Sequence, residues 1–427
     1  MKQNKFTIIV PTRERADTLY WCLKTLVAQD YENLEILVSD NFSQDNTKEV
    51  VDSFNDKRIR YINTGKRVDM SSNWEFALSH VNDGKVMFLG DDDGVLIGAL
   101  KRINQLFYEL NCENLAWDVA HYSWPNITEG NANYLTIPLN TNIIKLDAAQ
   151  TLTKVCQMEL QYFSLLGFYG RGFVDMRIIK EIKQKQNNIF FTSSIPDVYA
   201  CVMITRHVKS YYYSSYPFAI GGGSKKSNTG SAVSHSNLEE ANTFMSEIKT
   251  PVFHSNLEML SGLISLAIAD GILYGISDGN GKVISEKLKD DILKHTLRHA
   301  VSENSYRNPI VYEKNVQRLL IIAQKNNLET YVRELLGKYP NQYIHDNVLL
   351  KPNYSGLSAD KNTLRLDGNS LKIDNVYDAS VVISEIIGLN NTMTKLNICE
   401  ANLAYKFISK LQRAINYFSR KYLWKYY

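Results

Sequence analysis

The sequence contains no run of about 18 uninterrupted apolar residues, the length a helix needs to cross a bilayer. Its most apolar helical candidate, residues 252–276, is broken by His254, Asn256, Glu258 and Asp270 and reads as a core helix. Residues Met1 to Lys5 run directly into a strand-like segment, Phe6 to Val10, without the apolar region and cleavage site of a secretory signal. Cysteine is scarce. Cys22, Cys112, Cys156, Cys201 and Cys399 are odd in number and lack metal-type spacing, which argues against a disulfide framework and for a reducing compartment. Two glycine signatures are also missing: no Gly-x-Gly-x-x-Gly follows the first strand, and no Gly-x-x-x-x-Gly-Lys-Ser/Thr loop occurs, so the common dinucleotide and P-loop sites are excluded. A net charge of +3 is too small to indicate nucleic acid. The expectation is a cytoplasmic protein with no nucleic-acid partner.

What is present is size and pattern. The 427 residues, 44% hydrophobic and 22% charged, describe a globular protein longer than the roughly 250 to 300 residues one core supports, so more than one domain is expected. The first ninety residues alternate strand and helix. Phe6 to Val10, Leu34 to Ser39, Arg58 to Asn63 and Lys85 to Leu89 read as strands. Between the first two, Asp17 can cap a helix whose Leu19, Cys22, Leu23, Leu26 and Val27 keep helical spacing, and Ser72-Asn73-Trp74-Glu75 has capping-box spacing before the fourth strand. Strands separated by short helices require right-handed crossovers and a parallel sheet, whose ligands bind beyond the carboxyl ends of the strands. That rule collects four polar clusters on one rim: Pro11-Thr12-Arg13-Glu14-Arg15, Asp40-Asn41-Phe42-Ser43, Gly65-Lys66-Arg67 and the triplet Asp91-Asp92-Asp93. Three carboxylates at the end of a buried strand repel one another unless a cation sits there. Such a rim suits a nucleoside diphosphate: Thr12 and Asp40 can read a base edge, while Arg67 and a carboxylate-held metal can meet a pyrophosphate.

Thr7-Ile8-Ile9-Val10-Pro11-Thr12-Arg13-Glu14-Arg15, Leu37-Val38-Ser39-Asp40-Asn41-Phe42-Ser43, Asn73-Trp74-Glu75-Phe76-Ala77-Leu78 and Phe88-Leu89-Gly90-Asp91-Asp92-Asp93 together resemble the successive signatures of family-2 inverting glycosyltransferases with the GT-A fold. The likeness is close over residues 5 to 100 and extends loosely to about residue 220. It implies an α/β, Rossmann-like, mainly parallel central sheet with helices on both faces, followed by a mainly α-helical C-terminal region. It also implies a nucleotide-sugar donor, UDP-sugar favoured, held by Pro11, Thr12, Glu14, Asp40 and Arg67. The triplet resembles the family's Asp-x-Asp element, giving Asp93 to a divalent Mn2+ or Mg2+ ion and Asp91 and Asp92 to donor sugar and ribose, with Asp91 and His235 as further metal candidates. A carboxylate opposite takes the proton of the attacking hydroxyl. Asp197, just after Pro196 at an expected helix start, fills that role; its bland reading is a first-turn carboxylate facing the helix dipole.

Two glycine-rich segments extend the expected site. Arg171, between Gly170 and Gly172, is placed at the donor, and residues 220–230 supply glycines for mobility and Lys225 for phosphate, as a lid or as a linker. The expected division is a catalytic domain at 1–220, a lid or linker at 221–245, a helical packing or oligomerisation module at 246–345, an unassigned mixed region at 346–403 and a tail at 404–427. In the tail Phe407, Ile408, Leu411, Ile415, Phe418, Tyr422 and Leu423 keep helical spacing among basic residues, which suits the surface of an anionic membrane. The resulting expectation is single sugar addition to a glycan or lipid-linked glycan of a bacterial surface polysaccharide, at the inner face of the plasma membrane; Gln-x-x-Arg-Trp, expected of processive members, is missing. A sugar nucleotidyltransferase and a catalytically silent glycan-binding scaffold are the alternatives.

Overall fold

The computed structural model describes residues 3–127, 132–227, 246–247, 257, 263–277, 285–343, 355–389 and 397–399. Its N-terminal part runs β1 (Phe6–Thr12), α1 (Ala16–Val27), β2 (Leu34–Asp40), α2 (Thr47–Asp52), β3 (Ile59–Asn63), α3 (Met70–Ser79) and β4 (Lys85–Phe88). These four strands pair in parallel in the order β3-β2-β1-β4, as the alternating pattern predicts. The side-chain period of two divides β1 between two cores: Phe6, Ile8 and Val10 pack with Leu19, Leu23 and Leu26 of α1, whereas Ile9 packs with Trp74, Ala77 and Leu78 of α3. Both faces of the sheet are thus covered, which is why its strands are continuously apolar.

Beyond β4 come β5 (Gly94–Val95), α4 (Ala99–Glu109), β6 (Leu115–Ser123), β7 (Tyr134–Pro138), β8 (Asn142–Asp147), α5 (Ala148–Cys156), β9 (Gly172–Asp175), α6 (Met176–Gln184), α7 (Pro196–Arg206) and the long β10 (Ser210–Gly223). Here the sheet becomes mixed. β9 is antiparallel to both β4 and β6, while β10 runs parallel to β6 and antiparallel to β5 and β8. The first four strands form the parallel centre that the pattern predicts, and beyond them parallel and antiparallel pairs mix. Pro196 occupies the first turn of α7, where its missing N–H costs nothing, and residues Val198 to Thr205 are all buried.

Among the described residues come next α8 (Ile264–Gly275), α9 (Glu286–Asn304), α10 (Pro309–Lys325) and α11 (Glu329–Lys338). They share one core with Val198 and Val202 of α7, through Leu266, Ile272, Leu293, Leu319 and Val332. The unassigned mixed region acquires a place. Its β11 (Gly356–Leu357) and β12 (Thr363–Asp367) extend the sheet beside β7, and its α12 (Val376–Ile386) puts Val376, Ala379 and Ile383 into the same core as α1. A last strand, β13 (Asn397–Cys399), pairs with β8. Among the described residues no helix is long and apolar enough to cross a membrane. His235 and the basic tail at 404–427 lie outside the described residues.

Candidate active site

Register alone sets the first part of the site: Thr12 stands opposite Asp40 and Asp40 opposite Asn63, one row across the carboxyl ends of β1, β2 and β3. The buried Asp40 is fully engaged. Its Oδ1 accepts the Ser43 backbone N–H at 3.0 Å and Ser43 Oγ at 2.6 Å, and its Oδ2 accepts Tyr61 Oη at 2.6 Å and Asn63 Nδ2 at 2.9 Å. Burial, and then the Asp40 carboxylate, push the Tyr61 phenol up to about 12, so it stays a donor. Glu14 joins the same corner: its N–H donates to Ser43 Oγ at 2.9 Å, and its Oε1 accepts Gln44 N–H at 2.8 Å. Pro11 pairs with Ser39 in the strand ladder just below. Tyr61 and Asn63 are members of this corner that strand reading alone does not single out, since nothing local marks them.

After β4 the chain turns tightly, Asp93 N–H returning to the Gly90 carbonyl at 3.1 Å, and the three buried carboxylates diverge. Asp91 faces the rim, accepting Thr12 Oγ1 at 2.8 Å and Arg15 Nη1 at 2.9 Å. Asp92 Oδ2 accepts Ser224 Oγ at 2.6 Å. Asp93, expected to hold the metal, is turned inward: Oδ2 accepts Gly90 N–H at 3.0 Å and Oδ1 accepts Gly222 N–H at 2.7 Å. Oδ1 thus ties the loop to β10, and Oδ2 closes the loop on itself. Gly222 is required there, since a Cβ would lie 1.8 Å from the Asp92 carbonyl oxygen. Burial first, and Asp92 second, push Asp93 up to about 7; burial also raises Asp92, against the pull of Arg15.

Among the described residues no three His, Cys, Asp or Glu side chains converge as a metal cage. A Mg2+-type site needs less, one or two carboxylates with water and substrate phosphates completing the shell. The triplet fits that requirement through Asp91 and Asp92: burial, with the neighbouring Asp91 carboxylate adding to it, raises Asp92, and a hard cation would relieve that cost.

Trp74 stacks on Phe88 at 4.4 Å and on Tyr169 at 5.3 Å, fixing Tyr169 against the triplet. Burial raises the Tyr169 phenol well above its usual range, followed by Asp93, Asp92, Asp91 and Asp197 in that order. One side chain thus feels both the triplet and Asp197. Asp197 itself is raised by burial, partly offset by the first-turn N–H groups of α7.

Other expected residues take different positions. The Arg171 guanidinium pairs with Asp118 at 3.3 Å and lies over the Phe163 ring at 5.0 Å rather than joining the triplet. Its neighbouring glycines serve tight packing: a Cβ on Gly172 would stand 2.6 Å from the Gly167 carbonyl oxygen. Arg67 and Arg13 both pair with Glu247 at 2.6 Å, an acid outside the expected set. Lys225 is exposed, its N–H on Asn126 Oδ1 at 3.2 Å, whereas the Lys226 ammonium donates to the Glu14 carbonyl at 2.7 Å and Arg15 donates to the Lys226 carbonyl. Residues 221–227 are therefore seated on the triplet and rim.

Residues 7–166 match the sequence profile of the family described as Glycosyl transferase family 2. That match covers less than half of the chain. Over 104 residues it is 38% identical to the GalNAc(5)-diNAcBac-PP-undecaprenol beta-1,3-glucosyltransferase of Campylobacter jejuni subsp. jejuni serotype O:2, a stretch covering 24% of this chain and 34% of that relative. The chain thus spans about a third of the length of the relative it matches. Among solved structures, S. aureus TarS 1-349 in complex with UDP-GlcNAc is 14% identical, with 80% of this chain and 93% of that chain covered and a TM-score of 0.42. Mannosyltransferase PcManGT from Pyrobaculum calidifontis, in complex with GDP-Man and Mn2+, is 12% identical, with 79% and 88% covered and a TM-score of 0.34. Likenesses this distant carry nothing about substrate. The α/β sheet with helices on both faces that the family implies is the architecture observed.

Proposed function

We propose that this family-2 protein is a metal-dependent, inverting, non-processive glycosyltransferase that moves one sugar from a nucleoside-diphosphate sugar, UDP-sugar favoured, to a hydroxyl of a lipid-linked glycan in surface-polysaccharide synthesis at the inner face of the plasma membrane. The observation that supports it is the Thr12–Asp40 row, joined through Thr12 Oγ1 to the buried acid triplet, with Tyr169 packed against that triplet and feeling Asp197 as well. The undecaprenol-linked substrate in the relative's name supports the acceptor class.

In this reading Asp40, with its Ser43, Tyr61 and Asn63 partners, exchanges hydrogen bonds with the base edge, and Thr12 and Glu14 frame the nucleoside. Asp91 and Asp92, rather than Asp93, would hold a divalent ion, which when bound supplies positive charge to the departing diphosphate. Arg15 and Lys226, drawn together over Asp91, add cations beside it. Asp197 accepts the proton of the acceptor hydroxyl, and its raised pKa makes the carboxylate a stronger base once ionised. Across the cleft the sugar's anomeric carbon lies between hydroxyl and leaving group, the geometry of a single inverting displacement. Incubating the full chain with a panel of UDP-, GDP- and dTDP-sugars and Mn2+ should give slow donor hydrolysis with at least one donor. Asp197→Asn should lower acceptor-dependent turnover by about 100-fold or more, within the usual contribution of general base catalysis. Turnover near wild type in that variant would remove Asp197 from the mechanism, and the absence of any donor hydrolysis would remove the enzyme.

A further inference from the structure

Next to Asp197 lies a polar cluster to which donor binding gives no task. It begins at an irregularity in the sheet. β10 follows β6 in register as far as Ser214 opposite Trp117 and resumes with Ala219 opposite Val119, so residues Ser215 to Phe218 bulge out where β6 holds Asp118. Bulges re-aim the side chain at the break. Asp118 Oδ1 caps the N–H of Val119 at 2.9 Å and meets Arg171 Nη1 at 3.3 Å, while the guanidinium covers the half-buried Phe163 ring. Three residues along β6, His121 reaches solvent, close enough to Arg171 and Asp118 to be coupled to both. Gly221 on the paired strand keeps the imidazole clear: a Cβ there would stand 3.3 Å from Nδ1. Tyr162, adjacent to Phe163, packs against the core that holds Val198 and Cys201 of α7 and feels both Asp197 and Arg171, which joins the cluster to the helix carrying the base.

The charges decide the ligand. Asp118 offsets Arg171, and an exposed imidazole such as His121 carries little charge at neutral pH, so the cluster has almost no net charge and lies beside the Asp197 carboxylate. An anionic group needs cations that are not already compensated. An uncharged pyranose needs what is present, mixed donors and acceptors for its hydroxyls and an aromatic edge for its C–H face.

We propose that Asp118, His121, Phe163 and Arg171 form an acceptor subsite that takes an uncharged pyranose ring and turns its hydroxyl toward Asp197. The assignment rests on the reading of Asp197 as the base. Its test is saturation-transfer NMR on the full chain with octyl β-glucoside, octyl β-galactoside and octyl N-acetyl-β-glucosaminide as probes and octyl phosphate as the anionic control. At least one glycoside should show ring-proton saturation, and Phe163→Ala and His121→Ala should each weaken its binding by about tenfold, the loss of one good contact. His121 is solvent-exposed, so its variant tests the subsite even if the Phe163 variant unfolds. No ring saturation, variants that bind like wild type, or octyl phosphate that displaces the glycosides would each overturn the subsite. UDP titration with Mn2+ on the same samples separates the two failures. UDP binding without glycoside binding overturns the subsite alone, and no UDP binding by the wild type overturns the functional reading beneath it.

Discussion

Within the acid triplet, neighbouring residues of one type have different tasks, and substitution should separate them. Asp93→Asn leaves one acceptor oxygen for two backbone N–H groups and turns an amide against the other, which should cost about 1–3 kcal/mol in a thermal or denaturant melt. Asp92→Asn removes a like charge from the same pocket, so stability should hold or rise while metal-dependent nucleotide binding falls. Equal melting curves for the two variants would contradict this division. Glu247 offers a second test on the rim, where it holds both Arg13 and Arg67. Releasing them with Glu247→Gln should tighten UDP binding about two- to fivefold, the scale of a partly exposed ion pair; weaker binding would mean that Glu247 orders the arginines for the ligand. Thr12, Asp40, Asp91 and Asp197 were legible in the sequence because each falls at a strand end or helix start. Ser224 and Tyr169 beside the triplet, and Glu247 on the rim, were not, because only tertiary pairing brings them there. The separate seats of Asp91, Asp92 and Asp93 were not legible either, because adjacency in sequence says nothing about which of three carboxylates a tight turn points inward.

The elements with local signals were the readable ones. The period of two in β1 and β2, and the 3.6 period in α1 and α9 to α11, follow from which faces must be buried. By contrast β12 pairs with β7 across Thr136↔Arg365, and no short-range pattern encodes a partner so distant in the chain. The same holds for the seating of α8 on α7. A Cβ on Gly271 would lie 2.8 Å from Val198 Cβ, and one on Gly275 would lie 2.5 Å from Val202 Cγ1, so two glycines let α8 press against the helix that begins at Asp197. Gly271→Ala should therefore cost about 1–3 kcal/mol, the usual penalty for overpacking. It should lower kcat while UDP affinity stays unchanged, because it moves α7 and not the rim. Adding Val198→Ala should restore part of both losses, and a double variant no better than the single one would show that α8 does not position α7.

At the scale of the whole molecule, the described residues build three cores, and the C-terminal elements belong to two of them: α12 closes the core over α1, and α8 to α11 build the core behind α7. Global stability should therefore report on titration in the helical part. Glu303 on α9 accepts Ser265 Oγ from α8 at 2.9 Å, and burial pushes it up to about 7 despite that bond. The folded state thus holds its proton more tightly than the unfolded chain, so this contribution is complete below about pH 4.5, the unfolded value, and is lost as pH rises through about 7. Glu303→Gln should flatten that slope, worth about 1–3 kcal/mol for a partly buried carboxyl, in thermal melts between pH 4.5 and 8. An unchanged slope would locate the dependence elsewhere. The central claim, that the strand-end rim and acid triplet are one metal-dependent nucleotide site facing Asp197, is tested most directly by calorimetric titration of UDP with Mn2+ or with EDTA. The account predicts binding that requires Mn2+, is lost in Asp92→Asn and persists in Asp197→Asn; UDP binding that is indifferent to Mn2+ and to Asp92, or no UDP binding at all, would contradict it.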